Sequence, residues 1–291
     1  MTEALPMSRQ GFRFFHRLRV RWVEVDMQKI VFNAHYLMYF DTAISDYWRA
    51  LAIPYEASMR QLGGDLYVKK ATVEYHGSAQ FDDQLDVALQ CVRIGNSSLI
   101  FTGAIFRGET LLISCELVYV FADPASHTSK PVPEAFRALV TGFEAGQAMV
   151  RFKSGTWGDL GTDAASVSAV AFAHEQAVLA PLARDETDYT ALHVLAYNRL
   201  GQPVAAGRLL QTADGASQVG RLAVIRGLQG AGLGHALLEA LTAAAKLRGN
   251  TQLLLQAPLS AQAFYQGAGF KPQGEPFTEA SVSYIHMRKY L

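Results

Sequence analysis

The sequence predicts two successive folds, an antiparallel sheet packed on one long helix and then a mixed α/β sheet. Three patterns carry that reading. Residues 17–121 read as a strand, a long helix and several strands. From about residue 145 strands and helices alternate. Between them, ADPASHTSKPVP (122–133) is rich in Pro, Ser and Thr, and Gly142 and Gly146 loosen the chain after a short helix EAFRALV. At 291 residues the chain is about twice the usual ~150 residues of one domain. The predicted units are therefore 1–144 and 145–291.

The helix of the first unit is expected over Ala34 to Leu51. Tyr36, Leu37, Phe40, Ile44, Tyr47, Trp48 and Leu51 recur at spacings of three and four and predict one buried stripe, with Asp41, Asp46 and Arg49 on the other face. In LDVALQCV, Leu85, Val87, Leu89 and Cys91 alternate with Asp86, Ala88 and Gln90, the period of a half-buried strand. Residues 65–77, 98–107 and 110–121 read likewise, with turns at Gly95–Asn96 and Gly108–Glu109. In the second unit an Ala-rich helix is expected over 163–180, then strands HVLAYN, PVAAGRLL and QVGRLAVI. A helix starts near Gly230, buries Leu233, Leu237, Leu241, Ala244 and Leu247, and stops at Gly249. Strand QLLLQA, a helix over Ser260–Gly267 and a terminal strand SYIHMRKYL follow.

Composition narrows the function. Lys plus Arg and Asp plus Glu number 26 each, so neither nucleic acid nor an anionic membrane is an expected partner. Half the residues are hydrophobic, enough for packed cores. Cys91 and Cys115 form neither a CxxC pair nor a disulfide framework, which suits a reducing compartment and makes the cytoplasm the expected location. The first twenty residues lack a secretion signal, and the apolar run Leu111–Phe121 is broken by Ser114 and Glu116. No His or Cys cluster has ligand spacing, so no metal is expected.

The most specific motif is AVIRGLQGAGLGHALLEALTAAAKLRG, a strand running through a glycine-rich turn directly into a helix. Gly230, Gly232 and Gly234 let backbone amides at the helix N-terminus approach a ligand closely, and such a terminus favours phosphate. Neither the dinucleotide fingerprint nor a GKS/GKT loop is present. Gln229, Gly232 and Gly234 fill the pattern of the acyl-CoA signature of the GNAT acetyltransferases, which this segment resembles. AFYQGAGFKPQGEPF extends the likeness, with Tyr265 four residues before Gly269. The resemblance implies a mixed sheet with flanking helices, acetyl-CoA or another acyl-CoA as substrate, and an amine acceptor. It places the CoA pyrophosphate on the amides of Gln229, Gly230, Ala231, Gly232, Leu233 and Gly234, and pantetheine beside Leu222, Ala223 and Val224. Tyr265 is then the acid that protonates the departing thiolate. Pro258 stands where many relatives carry Asn. Glu175, Glu279 and His286 are candidate bases that no motif separates.

Upstream of the long helix lies RVRWVEVDMQKIVFNAHYLMYFDTA. With DYWRALAIPY and GNSSLIFTGAIFRGETLLISCELVYVF it resembles the hot-dog acyl-CoA thioesterases of the 4-hydroxybenzoyl-CoA thioesterase-like group, over roughly residues 14–122. The resemblance implies a catalytic Asp26, as nucleophile or as general base, and a homodimer or homotetramer through this domain. Thioester hydrolysis places charge on the carbonyl oxygen, which the Asn33 amide at the helix N-terminus is positioned to receive. His35 and Tyr36 are expected beside the substrate. Lys29 stands where Gly is frequent and Asn33 where His sometimes stands. Expected overall is a bifunctional acyl-CoA enzyme with no tightly bound cofactor. The alternative is a thioesterase whose second domain binds acyl-CoA only to regulate it.

Overall fold

The computed structural model describes residues 7–171, 186–212, 214–279 and 281–291. The chain divides into two units, Met1–Met149 and Val150–Leu291. The first unit contains β1 (Phe14–Arg19), α1 (His35–Ala50), α2 (Tyr55–Leu62), β2 (Asp65–Tyr75), β3 (Gln84–Ile94), β4 (Ser98–Arg107), β5 (Thr110–Ala122) and α3 (Glu134–Glu144). Its sheet has the order β1-β3-β4-β5-β2, with every neighbouring pair antiparallel. This is the hot-dog arrangement, a sheet packed on one long helix.

The buried stripe of α1 comprises Tyr36, Tyr39, Phe40, Ala43, Ile44, Tyr47 and Trp48. Leu37, expected in that stripe, is 40% exposed. At 3.6 residues per turn the inward direction falls on Tyr36 and Tyr39, leaving Leu37 and Met38 outside. Tyr47 anchors the helix among the rings of Phe14, Phe101 and Phe143, at centroid distances of 5.4, 5.2 and 5.1 Å. Its hydroxyl donates to Glu144 Oε1 at 2.5 Å, which fastens the end of α3 to α1.

The expectation of a half-buried β3 needs correction. Asp86 and Ala88 are buried along with Leu85, Val87 and Leu89. The N-terminal segment explains this, because Phe12 packs with Ala88, Ala104 and Phe106 and covers the second face of the sheet. Asp86 tolerates burial because Arg9 and Arg17 each reach it at 2.7 Å. Hydrogen bonding from Arg17 is the largest cause holding its carboxyl below the usual range. Sequence alternation could not register a cover supplied by Phe12, 76 positions before Ala88. Helix α2 also escaped sequence reading.

The second unit contains β6 (Val150–Gly155), α4 (Trp157–Ala171), β7 (Leu192–Asn198), β8 (Pro203–Gln211), β9 (Ala216–Val224), α5 (Leu233–Leu247), β10 (Gln252–Pro258), α6 (Gln262–Gly267), β11 (Lys271–Glu279) and β12 (Val282–Tyr290). The sheet order is β11-β12-β10-β9-β8-β7-β6. β9 and β10 are its parallel pair, but they pair only from Gln252↔Ala216 to Leu254↔Gln218. Beyond those residues β9 stays with β8 and β10 with β12, so the two strands part toward their C-terminal ends. The stripe of α5 is Leu233, Leu237, Leu238, Leu241, Thr242 and Ala245. Leu247, expected inside, is 91% exposed, and Ala244 is half-buried. The helical period carries the inward face from Leu241 to Ala245, not to Leu247. The helix expected over 163–180 begins earlier, at Trp157, and its portion beyond Ala171 lies outside the described residues. Edge strand β6, mostly exposed, gave no alternating signal.

One close approach sets the distance between α1 and the sheet of the first unit. A Cβ on Gly103 would lie 2.6 Å from the ring of Phe40, which is fully buried. Gly103→Ala should destabilise the first unit by about 1–3 kcal/mol through overpacking, read by urea unfolding followed by circular dichroism. A change below about 0.5 kcal/mol, the range of an ordinary surface substitution, would contradict this packing.

Candidate functional site

In the first unit, the segment from Arg21 to Ala34 is a folded hook ahead of α1. Trp22–Glu24 form a 3-10 turn. Asp26 then starts a tight turn in which its backbone oxygen accepts Lys29 N–H at 2.9 Å and its Oδ1 accepts Gln28 N–H at 2.8 Å. Lys29 closes that turn with φ 61°, a left-handed conformation that glycine adopts without cost. The frequency of Gly at this place therefore has a backbone reason. Asp26 N–H donates to Ile30 O, Phe32 N–H to Glu24 O and Val31 N–H to Ala79 O, each at 2.9 Å.

Asp26, Asn33 and Tyr36 line one cleft of about 460 Å³, with Gln28, Phe32, Tyr75, His76 and Ser78 among its other walls. Asn33 lies in the turn just before Ala34, the residue that caps α1, and its amide hydrogen has no acceptor among the described residues. A carboxylate and a free helix-start amide thus face the same space. Tyr36 is 2% exposed, and its hydroxyl accepts Ala79 N–H at 3.0 Å. Burial pushes its phenol up, so it stays neutral. His35, expected beside the substrate, is not a wall of this cleft. Its Nδ1 lies 3.2 Å from Met38 Sδ and its ring packs on Phe32.

Sequence reading missed the group that holds the hook. Glu24 is 2% exposed. Its Oε2 accepts Arg21 N–H at 2.7 Å and the Tyr39 hydroxyl at 2.8 Å, and its Oε1 accepts the Arg21 guanidinium at 2.5 Å. Burial alone would raise this carboxyl. The hydrogen bonds from Arg21 and Tyr39 outweigh that effect and leave it below the usual value. The available signal was an acid flanked by valines in WVEVD. His76 was missed as well; its Nε2 lies 2.8 Å from Ser114 Oγ, at the end of β2.

In the second unit, Gly230 and Gly232 have φ of 82° and 81°, and a Cβ on either would meet nothing within 4 Å. Left-handed backbone, not a crowded protein neighbour, requires glycine there. Gly234 differs, because its Cβ would lie 3.3 Å from the ring of Phe264. The amides of Gly230, Gly232, Leu233 and Gly234 donate to no acceptor among the described residues. The Ala231 amide, expected on the ligand, instead donates to Leu228 O at 3.3 Å, and Gln229 N–H to Arg226 O at 3.2 Å. The Gln229 side chain returns to Val224 O at 3.2 Å and closes the loop onto the end of β9. Ala223 and Val224 pair with Ala206 and Ala205 of β8, while Leu222 sits at a bulge.

Phe264 joins the two sequence motifs. Its ring meets His235 in the first turn of α5 at 4.6 Å and Tyr265 at 4.9 Å. The Tyr265 hydroxyl has no partner among the described residues, and burial raises its phenol above the ordinary value. It is therefore protonated at neutral pH, as a proton donor must be. Glu279 is exposed and His286 stacks on Phe277 at 4.7 Å. Glu175 lies outside the described residues.

A cavity of about 640 Å³ lies between α4 and strands β7 to β9, bordered by Trp157, Asp188, His193, Gly207 and Arg221. The buried Asp188 carboxylate pairs with Arg208 and, at 2.9 Å, with Arg221, which takes φ 50° at the β9 bulge. Sequence reading did not find this cluster. Among the described residues, no group of three His, Cys, Asp or Glu could hold a metal, and no helix is long and apolar enough to cross a membrane.

Comparison with known proteins matches residues 20–140 to the thioesterase-like superfamily and residues 161–291 to the acetyltransferase (GNAT) domain. The second unit is 31% identical over 128 residues to the uncharacterized N-acetyltransferase YjcF of Bacillus subtilis, covering 44% of this chain and 90% of that protein. The chain belongs to both families, one in each unit. The thioesterase-like unit is 29% identical over 122 residues to the acyl-CoA thioester hydrolase YbgC of Escherichia coli, covering 42% of this chain and 90% of that one. Among solved structures, the 1,4-dihydroxy-2-naphthoyl-CoA thioesterase Slr0204 of Synechocystis matches at 15% identity with a TM-score of 0.41, covering 44% of this chain and 95% of that one. The GNAT unit matches SAV2348 of Staphylococcus aureus, solved in complex with CoA, at 16% identity with a TM-score of 0.43, covering 46% and 85%.

The Glu24 clamp carries a signed pH dependence. A carboxyl whose folded pKa is depressed contributes stability above its unfolded value, about 4.3, and loses it as pH falls through the folded one. Glu24→Gln should therefore cost about 1.5–3 kcal/mol at pH 7, with the deficit shrinking on acidification below about pH 4. Urea titrations of both proteins at pH 7 and pH 3.5 check this, and a deficit equal at both would refute it.

Proposed function

We propose that the thioesterase-like unit hydrolyses acyl-CoA thioesters at the cleft shared by Asp26 and Asn33. The observation that carries this reading is a carboxylate and an unpartnered helix-start amide in one cleft. The thioester oxygen accepts the Asn33 amide hydrogen, where the start of α1 stabilises the charge that develops. Asp26 either attacks the carbonyl carbon or takes a proton from an attacking water. By both routes the C–S bond breaks, the thiol departs as CoA, and water supplies the oxygen of the released acid.

The GNAT unit is proposed to transfer an acyl group, acetyl among them, from CoA to an amine. The CoA pyrophosphate is assigned to the amides of Gly230, Gly232, Leu233 and Gly234. Pantetheine follows Leu222–Val224 where β9 parts from β10. Amine nitrogen bonds to the carbonyl carbon, the C–S bond breaks, Tyr265 gives its proton to the leaving thiolate, and the proton that the nitrogen sheds passes to water, from which the Tyr265 phenolate is reprotonated. A second reading, an acyl-CoA sensor, draws support from Pro258, which ends β10 where the family the segment resembles frequently carries Asn. Binding of acetyl-CoA without release by any amine would favour it.

A second copy of this chain is the proposed partner of the first unit. β2 is an edge strand of eleven residues with Val68 and Tyr75 each 54% exposed, and Leu37 and Met38 on α1 are also exposed. A long exposed edge flanked by apolar side chains is a template for pairing. Cys91 and Cys115 are free thiols whose burial pushes each up to about 12, in keeping with the reducing cytoplasm proposed as their location.

In the full chain, Asp26→Asn should lower amine-independent CoA release from acyl-CoA by about a hundredfold or more, and Tyr265→Phe should slow only the amine-dependent release. Thiol release followed with a chromogenic disulfide reads both. Hydrolysis that survives Asp26→Asn would overturn the assignment of the first site.

A further inference from the structure

Asp26 also lines a second cleft, of about 510 Å³, with Trp22, Val25, Lys29, Gln80 and Phe81. Trp22 is 74% exposed and Phe81 51% exposed, and their rings meet edge to face at 5.5 Å. Two large rings in contact and open to water form a contiguous apolar patch, the kind that marks a ligand or partner site. Both are held in place: Trp22 opens the turn that Glu24 clamps, and Phe81 follows Gln80, which bridges to Ile30.

We propose that Trp22 and Phe81 form the acyl subsite of the thioesterase-like unit, and that it takes compact apolar acyl groups. This rests on Asp26 being the residue at which the thioester reacts. The reacting carbon carries two substituents, the acyl chain and the sulfur of CoA, and both must lie in space that touches Asp26. The cleft shared with Asn33 has apolar walls at Ile30, Val31 and Phe32 but also exposes the polar groups of Gln28, His76 and Ser78, which suit the amides of pantetheine. The cleft at Trp22, Val25 and Phe81 presents hydrocarbon and ring surface, which suits an acyl group and offers pantetheine amides few partners. Adenine and the phosphates are many bonds from the thioester and do not compete for space beside Asp26. At 510 Å³ the cleft is within the range of small-molecule sites and bounded by Lys29 and Gln80, so it favours short or compact chains over long ones.

The test compares kcat/KM of the full chain for acetyl-, hexanoyl- and palmitoyl-CoA in wild type, Trp22→Ala, Phe81→Ala and Trp22→Phe. Wild type is expected to prefer hexanoyl-CoA. Each alanine variant should lower the hexanoyl to acetyl ratio at least tenfold, and Trp22→Phe, which keeps a ring, should recover most of it. Equal losses on all three substrates would overturn the proposal, since the cleft would then contact CoA. An unchanged ratio would also overturn it, as would a smaller assembly of the alanine variants by light scattering, which would make the rings an interface between copies. Failure of the underlying reading is separate: it shows as wild-type hydrolysis that is absent or indifferent to Asp26→Asn.

Discussion

The amide hydrogens in the first turn of an α-helix have no carbonyl one turn behind them, and the organisation of both units turns on where those hydrogens are left. In the first unit the chain enters α1 through the turn Asn33–Ala34, and the Asn33 amide, one residue ahead of the cap, remains unbonded in the cleft that Asp26 also lines. In the second it enters α5 through Gly232, and the amides from Gly230 to Gly234, apart from that of Ala231, remain unbonded. Each helix is fixed by a deep apolar stripe, so the unbonded donors are rigid. Rigid dipoles stabilise developing or fixed negative charge without reorganising, which is why they suit a thioester oxygen in one case and a pyrophosphate in the other.

The supporting structure differs between the units. Around α1 it is polar and buried: Glu24 gathers Arg21 and Tyr39, and Tyr36 receives the Ala79 amide. These bonds tie the hook to the helix and to the segment before β3, so the carboxylate and the amide cannot move independently. Around α5 the support is aromatic. Phe264 fits against Gly234 and His235 and carries Tyr265 beside it, so the packing that makes a Cβ at Gly234 a tight fit also sets the proposed proton donor. The parting of β9 from β10 leaves strand edges free next to that loop.

Much of this was legible in the residues. Periodicity located α1 and α5, alternation located β3 to β5, and the spacing of Gln229, Gly232 and Gly234 marked the loop. What escaped depends on partners distant in sequence. Phe12 and Phe106 bury the outer face of β3, so alternation at Asp86 and Ala88 misled. Glu24 reads as one acid among many until Tyr39, fifteen residues on, is seen to bond it. The Asp188 cluster assembles from β8, β9 and a short turn, and no local pattern announces it. His35 shows the opposite effect: its nearness to Asn33 in sequence suggests a common cleft, while its ring packs on Phe32 and its Nδ1 lies against Met38 Sδ.

The account makes one chain the host of two separate seats for a CoA thioester. Calorimetric titration of the full chain with a non-hydrolysable acyl-CoA thioether counts those seats directly. Two equivalents bound per chain is the result the account predicts, and one equivalent or none would contradict it.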